Sequence, residues 1–180
     1  MENKIKLQDK TFRVLISAEE IDKAVTRVAD QLNERYQGRT PIFLGVLSGS
    51  FLFLADLVRK VNFESQLAFV KISSYDGTES TGNVKQQFGV DFDIEGRDII
   101  IVEDIVETGH SMNYLLDHLR KKNPASISIC TLFFKPEKFL YEYEIDYTAL
   151  SIGNEFIVGY GLDYNQIGRN LKDIYVLDED

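Results

Sequence analysis

Four β-branched residues stand in a row at Ile99, Ile100, Ile101 and Val102, with no polar position among them. Such a run predicts a strand buried on both sides, as in a parallel sheet covered by helices. Two carboxylates, Glu103 and Asp104, follow it, and then a short turn carrying Thr108, Gly109 and Ser111. Met112, Leu115, Leu116 and Leu119 recur at helical spacing beyond the turn. The local order is strand, acid pair, hydroxyl-and-glycine turn, helix.

The rest of the chain repeats this alternation. Residues 11–16 predict a short strand, and Ser17 with Glu20 makes a capping box. Ile21, Ala24, Val25, Val28, Leu32 and Tyr36 line one face of the helix that follows, which Gly38 ends and Pro41 follows. Residues 41–47 read as a second buried strand, Ser48-Gly49-Ser50 as a turn, and 51–60 as a helix. Residues 66–72 give a third strand. Residues 73–89 are rich in Ser, Gly, Thr, Asp and Lys, a long loop of the kind that serves as a lid. Pro124 stops the helix after the acidic stretch, and an apolar run over 125–134 ends at Lys135-Pro136. Short strands are expected at 147–152, 156–160 and 174–177, with a loop over 159–165. Strands alternating with helices imply one α/β domain with a mainly parallel sheet. The strand-rich C-terminal part would form a small cap over the strand ends, where ligands of such sheets sit.

Charge and composition narrow the partners. A net charge of −9 argues against sequence-independent binding to nucleic acid. No apolar run approaches the roughly 20 residues of a membrane helix, and the first residues lack an apolar signal core. A single cysteine, Cys130, excludes an internal disulfide, fits a reducing cytosol, and lies in an apolar run as an inert core residue. A cytoplasmic enzyme is the expectation.

The chemistry of the central stretch is specific. A helix N-terminus presents unpaired N–H groups and a positive dipole end to phosphate. Gly109 allows close approach of the backbone, and the hydroxyls of Thr108 and Ser111 add donors. Glu103 and Asp104 can accept from sugar hydroxyls or hold a hard cation through water. A ligand with a phosphate at one end and a diol or Mg2+ at the other suits both halves.

Residues 102–109, Val-Glu-Asp-Ile-Val-Glu-Thr-Gly, resemble the phosphoribosyl-pyrophosphate (PRPP) motif of the type I phosphoribosyltransferases. One position departs: the acid before Thr-Gly is usually Asp and here is Glu107. Further matches run in order along the chain: Leu47-Ser48-Gly49-Ser50-Phe51, Ser74-Tyr75, Lys135, and residues 156–165 with Arg169. The last block is similar to the purine end of the hypoxanthine-guanine members.

That resemblance implies a fold, a reaction and a set of roles. The fold is a parallel sheet flanked by helices, with a hood built from the chain ends and a flexible active-site loop containing Ser74 and Tyr75. The reaction joins a 6-oxopurine to PRPP and releases pyrophosphate, with Mg2+ as cofactor. Glu103 and Asp104 would face the ribose hydroxyls and metal. Thr108, Gly109, His110 and Ser111 would hold the 5′-phosphate, mostly through backbone amides. The Ser48-Gly49 backbone and Arg169 would meet the pyrophosphate, without the lysine that often stands at position 48. Glu107 would accept the proton from purine N7, Lys135 would donate to O6, Phe156 would stack on the ring, and the Ile157 backbone would touch its edge. Asp163 would help hold a second Mg2+. A homodimer or homotetramer is expected. Two other readings remain: a non-catalytic PRPP sensor, and a mononucleotide-binding α/β protein unrelated to PRPP. Lys135, Phe156 and Asp163 argue against the first, since a sensor has no need of purine groups, and the C-terminal block argues against the second.

Overall fold

The computed structural model describes residues 4–73, 85–88 and 93–178. Strands β1 (Lys4–Leu7) and β2 (Lys10–Ile16) lead into helix α1 (Ala18–Tyr36). Then come β3 (Ile42–Leu47), α2 (Phe51–Lys60), β4 (Gln66–Ser73) and β5 (Lys85–Phe88). The central unit follows as β6 (Asp98–Val106), α3 (His110–Arg120) and β7 (Ser126–Phe134). A 3-10 turn at Pro136–Lys138, β8 (Tyr147–Ser151), β9 (Ile157–Val158) and β10 (Ile174–Leu177) complete it. Ser74, Tyr75 and most of the expected lid lie outside the described residues.

The larger sheet runs β5-β4-β3-β6-β7-β8. All its neighbours pair in parallel except β5, which is antiparallel to β4. The β-branched run of β6 explains the layering. Ile100 and Val102 face one core with α1 and α2, through Val25, Leu32, Phe53 and Leu57. Ile99 and Ile101 face the other core with α3, through Met112, Leu115 and Leu119. Alternate side chains of one strand therefore feed two cores. Helix α1 begins at the expected capping box, since Ser17 accepts from the Glu20 amide while the Glu20 carboxylate accepts from Ser17 N–H. Cys130 is fully buried with its thiol pushed up by burial, as expected of a core residue.

A second sheet, ordered β1-β2-β10-β9, is antiparallel and forms the hood. Its core is Phe12, Val158 and Tyr175. The strand expected at 156–160 shortens to Ile157–Val158, because Gly159 at φ +108° and Tyr160 at φ +44° turn the chain away. Strands β1 and β5 had no pattern to announce them; each is four residues long and sits at a sheet edge. The hood is tied down by Ala18 N–H donating to Asp173 at 2.7 Å and by Tyr160 donating to Asp56 at 2.6 Å.

Candidate active site

The parallel strands leave β3 in opposite directions, toward β4 on one side and β6 on the other. That reversal opens a crevice at the carboxyl ends of β3 and β6, the usual ligand position in such sheets. The register shows where it opens. The last β3–β6 pair is Gly45 with Val102, and Glu103 and Asp104 come immediately after. The turn after β3 closes the other wall. Its Leu47–Ser48 peptide is cis, and a Cβ added at Gly49 would overlap Asp104 Oδ2. A Cβ at Gly161 would likewise overlap the Gly49 carbonyl, so the turn after β3 is packed between the Asp104 side chain and the backbone at Gly161.

The two acids sit in an unfavourable field. Burial first, and then the charge of Asp104, push the Glu103 carboxyl well above the usual range. Burial also raises Asp104, against lowering by its hydrogen bonds and by Arg169. Such a pair titrates as a unit and is poised to take a cation or sugar hydroxyls. Among the described residues no group of three or more His, Cys, Asp or Glu is placed to hold a metal. Two carboxylates alone suit Mg2+ that arrives with phosphate and keeps its waters, rather than a resident ion in a protein cage.

Beyond β6, Glu107, Thr108 and Gly109 make the turn onto α3. Gly109 is the N-cap at φ +86° and has no side chain to cap the helix, and the His110 amide makes only a long bond, to Thr108 Oγ1 at 3.5 Å. Ser111 is exposed in the first helical turn, and the His110 ring is held by Tyr141 Oη at 2.7 Å. Residues 139, 141 and 143 form an aromatic layer against Gly109, where a Cβ would crowd all three rings.

Lys135 is 3 % exposed, and its ammonium donates to Glu107 Oε1 at 2.6 Å and to the Glu155 carbonyl at 3.0 Å. Lys138 approaches the other Glu107 oxygen at 3.5 Å. Burial tends to raise the Glu107 carboxyl, but the hydrogen bond and charge of Lys135, helped by Lys138, bring it below the ordinary value. The main chain enforces the meeting, since Lys135 N–H donates to the Val106 carbonyl. Next to this pair, Phe156 is 49 % exposed between the rings of Phe12 and Tyr164, and Ile157 is buried in β9. Asp163 and Arg169 are paired with each other at 2.7 Å, and Arg169 also donates to the Gly161 carbonyl.

Two groups of expected residues therefore assemble. One is the crevice of Ser48, Gly49, Glu103 and Asp104 with the turn over 107–111; the other is Lys135 and Phe156 beside Glu107. Asp163 and Arg169, expected at separate ligands, answer each other in this structure. Sequence reasoning passed over Lys138, the Glu155 carbonyl and the aromatic layer. Only the layer left a trace, as aromatics at every second position from Phe139 to Tyr143.

The family description "Phosphoribosyl transferase domain" matches residues 17–165. The chain belongs to that family. A curated relative, the hypoxanthine-guanine phosphoribosyltransferase of Streptococcus pneumoniae, is 42% identical over 97% of this chain and 97% of its own. A hypoxanthine-guanine phosphoribosyltransferase of Bacillus anthracis superposes with a TM-score of 0.87 at 37% identity, covering 92% of this chain and 98% of that one. A point mutant of the hypoxanthine phosphoribosyltransferase of Trypanosoma cruzi, solved with the product IMP, gives 0.87 at 34% identity, covering 97% and 94%. The family match spans the crevice, the acid pair, the turn onto α3 and Lys135.

Proposed function

We propose that this phosphoribosyltransferase works in purine salvage, transferring the phosphoribosyl group of PRPP to hypoxanthine, and to guanine, with release of pyrophosphate. The observation that carries the base assignment is the buried Lys135 ammonium, aimed beside an exposed aromatic face and paired with Glu107. A 6-oxopurine stacked on Phe156 offers O6 as an acceptor to Lys135. Glu107 is then released from its strongest partner and accepts the N7 proton as N9 bonds to the anomeric carbon and the bond to pyrophosphate breaks. The amides over 108–111 hold the 5′-phosphate, Glu103 and Asp104 accept from the ribose hydroxyls, and the Ser48-Gly49 backbone with Arg169 meets the pyrophosphate. Glu103 and Asp104 would hold Mg2+, which would supply charge neutralisation for the leaving group. Asp163, which pairs with Arg169 in this structure, would add a further carboxylate for such a metal.

The test mixes protein, Mg2+ and PRPP with each of hypoxanthine, guanine, xanthine and adenine and follows nucleotide formation. Adenine leaves the Lys135 donor facing an amino group, and a site that loses its hydrogen-bond partner discriminates by roughly 10⁴-fold or more. Hypoxanthine should react and adenine should not, and excess chelator should stop the reaction. Comparable turnover of adenine overturns the base assignment.

A further inference from the structure

The segment over 139–143 touches the turn onto α3 from behind, at two successive peptide units. Leu140 N–H donates to the Thr108 carbonyl at 3.2 Å, and Tyr143 Oη donates to the Gly109 carbonyl at 2.8 Å. The Gly109 carbonyl also accepts the first helical bond, from Asn113 N–H at 2.8 Å, so both of its lone pairs are used. In a planar trans peptide the N–H points opposite to the C=O. Anchoring the Thr108 and Gly109 carbonyls therefore turns the Gly109 and His110 N–H groups toward the other side. On that side the His110 N–H donates a long hydrogen bond to Thr108 Oγ1 at 3.5 Å, the side chain expected to share the phosphate with it.

We propose that Tyr143 is a positioning residue for the 5′-phosphate: its hydroxyl sets the direction of the His110 amide without touching the ligand. This rests on reading residues 108–111 as the 5′-phosphate cradle. The hydroxyl is suited to a permanent donor role, because burial, with a smaller contribution from Tyr141, pushes its pKa up to about 12. The ring is fixed edge-on to Phe139, with centroids 5.1 Å apart, and stacks at a tilt on Tyr141 at 5.4 Å. Rotation of the Gly109–His110 peptide would have to break the Tyr143 bond and the first bond of α3 together.

Tyr143→Phe removes the hydroxyl and keeps the packed ring. The loss of one neutral hydrogen bond corresponds to about a fivefold effect. The KM for PRPP and the dissociation constant of IMP should each rise by about that factor, while kcat and the KM for hypoxanthine stay within about twofold. A merely structural role would shift the melting temperature without this split. Tyr141→Phe, which frees only the His110 ring, should leave the PRPP KM unchanged. Equal PRPP KM in Tyr143→Phe and wild type, with turnover intact, overturns the role of Tyr143 alone. Absence of PRPP-dependent turnover in the wild type overturns the cradle reading itself.

Discussion

Glu107 is shared between two lysines, and its pairing sets what it can do at rest. Bound to Lys135 and held below its ordinary pKa, it is a weak base until a ligand takes the Lys135 donor. The extra methylene relative to the family's usual aspartate lengthens its reach, and the carboxylate uses that reach to meet both ammonium groups. Glu107→Gln keeps the shape and removes the proposed base, so kcat for hypoxanthine should fall roughly 10²-fold or more with little change in PRPP affinity. A kcat within about threefold of wild type would instead make the side chain an orienting group. Glu103 has the opposite sign. Its folded pKa is raised, so its stabilising contribution is complete in acid and is lost as pH climbs through that raised value. Glu103→Gln should therefore raise the melting temperature of the free protein near neutral pH, by about 2–4 °C per kcal/mol relieved. The gain should vanish in acid, where wild-type Glu103 is already neutral; a gain of equal size at every pH would point to packing and not to charge.

Among the elements, β6 was the most legible and its partner loops the least. The β-branched run specified a strand with two covered faces, and α2 and β10 were expected at their observed bounds. The capping box fixed the start of α1 because both of its bonds are local. The pairing of Lys135 with Glu107 could not be read, since it depends on β7 lying beside β6 in register, with Val106 opposite Phe134. The same holds for Gly49, whose importance comes from Asp104, 55 residues away in sequence (104 − 49), filling the space of its missing side chain. Gly49→Ala should displace the Asp104 carboxylate, and a misplacement on the ångström scale costs about 10²-fold in kcat/KM for PRPP. Gly49 is not at a positive φ, so crowding and not backbone strain is what the variant introduces. A kcat/KM for PRPP within about threefold of wild type would mean that Asp104 is not displaced.

At the scale of the whole molecule the site is divided between two sheets. The parallel sheet carries the crevice, the acid pair and the turn onto α3, while the hood carries Phe156 and Ile157. The hood is not continuous in sequence: β10 lies between β2 and β9 and is hydrogen-bonded to both. Strand β9 has no other sheet neighbour among the described residues, so its place beside Phe12 exists only once β10 is there. This sets an order in time on a chain made from its N-terminus. As it emerges from a ribosome, the central strands and the turn onto α3 can assemble first. The surface carrying Phe156 and Ile157, proposed above to take the base, waits until Ile174–Leu177 has been synthesised and has slid in between two strands already made.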